Sequence, residues 1–313
     1  MDSFLVAFNA VIPFLCYISF GYIAKIRGFV EEEFLQKLNK MVFHLFYPFM
    51  MFYNIYKADV SSLPSPFLMV FTGGSILIVE ALAILIVPRI IKENSKRGVI
   101  IQGVFRGNFV LFGLPLAISV FGDEAASMAA IIVTIVATIY NTTSVFILEM
   151  FNTAEKTSIK KTLLNVTKNP LLRGAVLGLI FFFAGIRIPK NLTTPVAAIA
   201  NMTTPLALFV LGGTLHFDAV RGNLKYLVPT LSFKMVLIPA AVLVIGYAMG
   251  LRGLELFLLV GVHGTPIATA SYPMAQNMGG DGELAGQFVV LSTVVCVVTL
   301  FLWVFTLKMM GLI

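Results

Sequence analysis

Charge is what this chain has least of: 12% of its 313 residues are Asp, Glu, Lys or Arg, against 58% that are hydrophobic. With a mean hydropathy of +0.95, too little polar surface remains to cover a water-soluble globule of this length. Cysteine is scarce too. Cys16 and Cys296 both fall inside apolar runs, which excludes a disulfide framework and any metal-type spacing. The three histidines, His44, His216 and His263, lie in different apolar runs. Neither His-Glu-x-x-His nor Gly-x-Ser-x-Gly occurs, so the sequence offers no catalytic residue, no metal ligand and no cofactor site. Basic residues outnumber acidic ones by 22 to 15. They sit in short gaps between apolar runs, where they report membrane orientation rather than nucleic-acid binding.

What is present is length in apolar runs. A helix needs about 20 such residues to cross the hydrocarbon core. Ten runs come near that length: 6–26, 38–57, 67–91, 98–121, 124–150, 171–187, 192–216, 224–250, 254–278 and 283–310. No basic stretch precedes the first, which reads as a retained spanning helix rather than a cleaved signal peptide. With both termini placed outside, the inward gaps collect fifteen Lys and Arg and the outward gaps five, while Arg106 and Lys234 lie within runs. That bias is the one expected of a multi-pass protein of the plasma or inner membrane.

Prolines and glycines repeat along the chain. Pro13, Gly21, Gly28 and Pro48 recur 157 residues later as Pro170, Gly178, Gly185 and Pro205; Pro115, Gly122 and Asp123 recur 158 residues later as Pro273, Gly280 and Asp281. The longest polar stretch, rich in lysine, lies between the halves. The reading is a first five-helix repeat over 1–151, a cytoplasmic loop over 152–169 and a second repeat over 170–313. Five is odd, so the second half enters the membrane from the opposite side. The expected fold is all-α and integral to the membrane, with ten transmembrane helices as two inverted repeats.

The fourth run contains Arg106-Gly107-Asn108 and then Gly113-Leu114-Pro115; the ninth contains His263-Gly264-Thr265-Pro266 and then Tyr272-Pro273. Proline lacks a backbone donor and glycine tolerates non-helical geometry, so both runs should unwind near their middles. Irregular backbone at that depth is tolerated where protein buries it or where it lines a polar cavity. Two crossing breaks would aim half-helix N-termini, each carrying roughly half a positive charge, at one volume suited to a carboxylate. Asn108 is the leading contact, since its amide donates and accepts. Arg106 either meets the anion or snorkels to the cytoplasmic face; unaided, an arginine in a spanning helix costs about 2.5–3.5 kcal/mol. His263, Thr265, Thr269, Ser271 and Gln276 complete the candidates on the ninth run.

Glu80 in the third run and Lys234 in the eighth are deep charges that serve ion coupling, pair with each other or make two unrelated interior polar contacts. Asn54 and Asn141-Thr142-Thr143-Ser144 add polar groups that line a cavity or tie helices together.

Arg106-Gly107-Asn108 with Gly113-Leu114-Pro115, Asn169-Pro170, Thr204-Pro205-Leu206-Ala207-Leu208 leading to Gly212, and Gly21-Tyr22 to Gly28 resemble the auxin efflux carrier family over about residues 6 to 310. The short 152–169 connection makes the chain similar to that family's prokaryotic permeases. The resemblance implies a ten-helix inverted-repeat secondary transporter, often a homodimer, in which a transport domain moves like an elevator against a scaffold of helices one, two, six and seven. It implies small organic anions such as auxin, malate or malonate as substrates. It carries the crossover asparagine onto Asn108, the following proline onto Pro115 and the ninth-helix proline onto Pro266. The ninth run departs in having Pro273 where a proline about two residues earlier is expected. No cofactor follows from it, only coupling to a proton or sodium gradient. A cation-coupled symporter or sodium/proton antiporter of related fold is the nearest alternative, ahead of a membrane sensor or an intramembrane enzyme.

Overall fold

Proline decides where the helical rods of this protein change pitch. The computed structural model describes residues 2–57, 65–152, 167–215 and 218–313. Three five-residue π turns, Val42–Phe46, Phe109–Gly113 and Phe233–Leu237, each end two residues ahead of a proline: Pro48, Pro115 and Pro239. A proline ring clashes with the carbonyl four residues back and offers it no N–H. Widening the turn relieves both conflicts without ending the helix. In the third case the carbonyl left over, that of Met235, accepts from Trp303 Nε1 at 2.9 Å.

In chain order the helices are α1 (Asp2–Ile26), α2 (Glu32–Met41), α3 (Tyr47–Tyr56), α4 (Pro66–Ile90), α5 (Asn94–Phe105), α6 (Leu114–Phe121), α7 (Asp123–Met150), α8 (Pro170–Phe183), α9 (Lys190–Thr214), α10 (Asp218–Ser232), α11 (Ile238–Ala248), α12 (Gly253–Gly264), α13 (Ser271–Asn277) and α14 (Gly282–Met309). The first and third π turns join α2 to α3 and α10 to α11 as continuous rods. Several starts carry a side-chain cap. Ser65 accepts from Leu68 N–H at 3.2 Å, Asn169 from Leu171 N–H at 3.0 Å and Asp281 from Leu284 N–H at 2.9 Å. Each such cap stabilises its helix by about 1 kcal/mol.

Among the described residues, five helices are long and apolar enough to cross a membrane: Pro66–Ile90, Ile131–Met150, Lys190–Thr214, Val220–Ala248 and Gly282–Met309. The α2–α3 rod begins at Glu32, six residues before the expected run of 38–57. Its first turns are amphipathic, with Leu35 and Asn39 buried and Glu33 and Lys37 paired outside, and an apolar-run criterion passes over such a segment. The expected 152–169 loop lies outside the described residues except at 152 and 167–169, and His216 lies outside them too.

Glycine lets one group of rods pack backbone to backbone. A Cβ on Gly21 of α1 would stand 1.9 Å from the Phe209 carbonyl oxygen of α9, and one on Gly212 of α9 would stand 1.9 Å from that of Ile18. On the other side, a Cβ on Gly174 of α8 would meet the Pro48 oxygen at 2.3 Å and one on Gly178 the Phe52 oxygen at 2.9 Å. Gly21 with Phe209 and Gly178 with Phe52 are thus two contacts of one kind, and 157 residues separate Gly21 from Gly178 and Phe52 from Phe209. α1, α2–α3, α8 and α9 form this group; α4 to α7 and α10 to α14 pack beside it, with α14 also touching α1.

Candidate functional site

The fourth and ninth runs do come apart, and their loose ends meet. α5 stops at Phe105, and Arg106-Gly107-Asn108 leaves helical geometry before the chain re-enters helix at Phe109. α12 stops at Gly264, and α13 starts at Ser271. Gly107 and Ile267 face each other in an antiparallel bridge, and Asn108 N–H donates to the Pro266 carbonyl at 2.8 Å. Ile267 N–H donates to Ser292 Oγ of α14 at 3.0 Å, which ties the crossing to a long helix. Glycine is required at position 107 because a Cβ there would lie 2.7 Å from Thr265 Oγ1 and from the Val262 carbonyl oxygen.

One face of this crossing lines a cavity of about 480 Å³, a volume usual for small-molecule sites. Arg106 to Leu111 and Ala268 to Ala270 form its floor, α7 contributes Val133, Val136, Tyr140 and Asn141, and the glycine-packed group contributes the opposite wall. That wall carries Tyr17, Asn54, Lys57, Asn201 and Thr204 among apolar residues such as Phe14, Met50 and Leu208. Lys57 lies over the Tyr53 ring at 5.1 Å. Among the described residues two cations, Arg106 and Lys57, line the cavity, and no Asp or Glu does.

Arg106 is 2% exposed, so it does not snorkel. Its guanidinium donates to Asn141 Oδ1 at 2.7 Å and contacts Met274 Sδ at 2.7 Å, while Nε finds no partner. Among the described residues no carboxylate pairs with it. Asn108 opens the second half-helix with φ −105° and ψ 61°, and its side chain does not cap the first amides.

The other sequence candidates divide by face. Thr269 lines the cavity. Gly113 faces away, where a Cβ would come within 3.0 Å of Gly261 Cα, so its place is in helix packing. Pro115 sits in the first turn of α6. His263 shares a 2.9 Å hydrogen bond with Ser75 Oγ of α4, and Thr265, Pro266 and Ser271 lie behind or beside the crossing rather than on the cavity. Gln276 lines a second, smaller recess of about 220 Å³ with Glu32, Asn39, Thr214 and Tyr272, toward the Glu32 end of the α2–α3 rod, whereas the main cavity reaches its Lys57 end. Glu80 and Lys234 do not pair. Glu80, 7% exposed, lies against Thr143 of α7, and Lys234 Nζ donates to the Phe105 carbonyl at 3.3 Å. Asn201, like Tyr17 and Lys57, is a wall residue absent from the sequence candidates; an amide in the middle of the 192–216 run was the available signal for it.

The sequence profile of the family described as "Membrane transport protein" matches residues 6–304. A protein called an uncharacterized transporter from Methanocaldococcus jannaschii is 26% identical over 96% of this chain and 98% of its own. Another of that description from Methanothermobacter thermautotrophicus is 25% identical over the same shares. YfdV of Escherichia coli K12, also called an uncharacterized transporter, is 21% identical over 96% of this chain and 98% of its own.

Proposed function

The chain belongs to the membrane transport protein family of auxin efflux carrier type, and from that premise we propose that it is a secondary transporter of small organic anions such as mono- or dicarboxylates. The observation that carries this reading is Arg106, a buried guanidinium with neutral hydrogen-bond partners on a cavity that no acid lines among the described residues. A buried charge is stable when a counter-charge joins it, and a carboxylate entering the cavity supplies one. Phe109 to Leu111, opening the half-helix, add the positive end of a helix dipole on the same face. An antiporter for cations would need carboxylates here, and Glu80 does not reach the cavity.

In this proposal the chain is two inverted five-helix repeats, 1–151 and 170–313, which accounts for the common 157-residue offset of the glycine contacts. The glycine-packed rods are the scaffold. The crossing moves against them with its substrate, in the cell membrane with both termini outside, so that the Lys57 mouth faces outward. Uptake or exchange of radiolabelled malate, malonate and indole-3-acetate by purified protein in liposomes tests the reading. Saturable flux should fall at least tenfold in Asn108→Ala, the loss of about one or two hydrogen bonds to a charged group. Flux of none of these acids by folded, inserted protein would overturn the anion reading.

On the inward side the 2.6 Å hydrogen bond between Thr214 of α9 and Tyr272 of α13 joins scaffold to moving part, beside the Asn169–Met278 contact, and in this proposal it helps hold the inward path closed. Tyr272→Phe removes that bond. The inward-facing share should then rise roughly fivefold, the equivalent of about 1 kcal/mol. A cysteine placed by Gln276→Cys, with Cys16 and Cys296 changed to serine, reads this as faster labelling by an impermeant maleimide from the cytoplasmic side. Unchanged labelling would remove the gate from the mechanism.

A further inference from the structure

Behind the crossing, on the face away from the cavity, the two first half-helices end. α5 finishes at Phe105 and α12 at Gly264. The last carbonyls of a helix have no intrahelical donors, and each end carries roughly half a negative charge. In membrane transporters, unwound carbonyls and half-helix C-termini are the groups that coordinate a co-transported cation. Here a side chain already stands among them. Lys234 is 0% exposed, and its Nζ donates to the Phe105 carbonyl. A Cβ built on Gly107 would lie 3.1 Å from that Nζ and 2.7 Å from both Thr265 Oγ1 and the Val262 carbonyl oxygen, so these groups border one small volume. Thr265 Oγ1 is buried and makes no hydrogen bond. No carboxylate pairs with Lys234 among the described residues. His263, the nearby titratable group, instead shares its hydrogen bond with Ser75.

Lys234 reaches this place because it sits in the π turn Phe233–Leu237 ahead of Pro239. The extra residue in such a turn redirects a side chain that a regular helix would aim elsewhere. We infer that the Lys234 ammonium is a tethered cation occupying a monovalent-cation site formed by the half-helix C-termini, and that its presence there makes the protein independent of sodium. The inference extends the transporter reading from the substrate face of the crossing to its rear face. Its consequence is that removing the amine uncovers a site for a free cation of sodium or ammonium size.

Thermal unfolding of the purified full-length protein tests this without reference to any substrate. Wild type, Lys234→Ala and Lys234→Met are compared in choline, sodium and ammonium chloride at equal ionic strength. Wild type should melt at one temperature in all three. Lys234→Ala should melt roughly 4 °C lower in choline, the effect of losing a charged hydrogen bond, and should regain half or more of that in sodium or ammonium. Lys234→Met, which fills the volume with an uncharged chain, should show no difference between salts. If the alanine variant does not fold, Lys234→Ser replaces it in the same comparison. Alanine and serine variants that respond to sodium no more than wild type does would overturn the inference, as would a wild type that sodium stabilises over choline. Because the readout is melting, failed anion uptake would count against the substrate reading alone.

Discussion

Arg106→Gln is expected to lower anion uptake at limiting substrate by about 100-fold, a loss near 3 kcal/mol, and to leave the fold as stable as before or more so. Both halves of that expectation come from one geometry. The guanidinium is buried, and its protein partners are an amide oxygen and a thioether, neither of which carries charge. A charge-assisted bond to a carboxylate is roughly twice as strong as a neutral one, and a planar fork adds orientation. Losing such a contact in a desolvated site accounts for the fall in uptake. The same burial makes the unliganded arginine a burden on stability, because replacing a buried, unpaired ion with a neutral residue of similar length removes a desolvation penalty. A residue holding the crossing together would behave oppositely, with stability and uptake falling in parallel. Arg106→Lys should recover part of the uptake, since an ammonium supplies charge without the two-pronged contact to Asn141 and Met274. Uptake kinetics and melting temperature measured on the same preparations decide the matter. Uptake within threefold of wild type in the glutamine variant would sink the assignment.

How much of this was legible beforehand depended on how local the cause was. Proline acts on its own turn, so Pro115 and Pro266 marked two segments that leave regular helix, and the break at Arg106-Gly107-Asn108 lies where the residues placed it. The ninth run was harder, because Pro273 looked like part of the break and instead sits within α13, while the chain is unwound from Thr265 to Ala270. Helix face was not legible. In a run apolar on every side, nothing in the sequence says whether Gly113 or Asn108 turns to the cavity, and only packing against Gly261 settles Gly113. Asn201 and Thr204 reach the cavity from a different body of the protein, a relation that no spacing along the chain contains. The suggested Glu80–Lys234 pairing failed for the same reason. Two charges deep in apolar runs need not be neighbours, and these side chains meet α7 and the end of α5.

Three glycine-to-alanine changes separate scaffold from site. At Gly222 no atom of the described residues beyond its own helix backbone and chain neighbours stands within 4 Å of an added Cβ, so the change should be neutral or stabilising by up to about 1 kcal/mol through helix propensity. At Gly212 the Cβ would lie 1.9 Å from the Ile18 carbonyl oxygen. Backbone cannot rotate out of the way as a side chain does, so α1 and α9 must separate, and overpacking of this kind costs about 1–3 kcal/mol or more. A melting temperature lower by roughly 5 °C is expected, with the loss of uptake explained by loss of folded protein. Gly107→Ala differs in where the strain goes. Its Cβ would press on Thr265 Oγ1 and the Val262 carbonyl oxygen at 2.7 Å, at the bridge where the two breaks meet. That contact involves a short stretch of chain rather than two whole rods, so the melting temperature should fall less than for Gly212→Ala. Arg106 and Asn108 flank the strained residue, however, and an ångström of displacement there misplaces both. Uptake per folded molecule should therefore drop at least tenfold in Gly107→Ala and stay near wild type in Gly212→Ala. Equal uptake per folded molecule in the two variants would show that the crossing does not position the substrate.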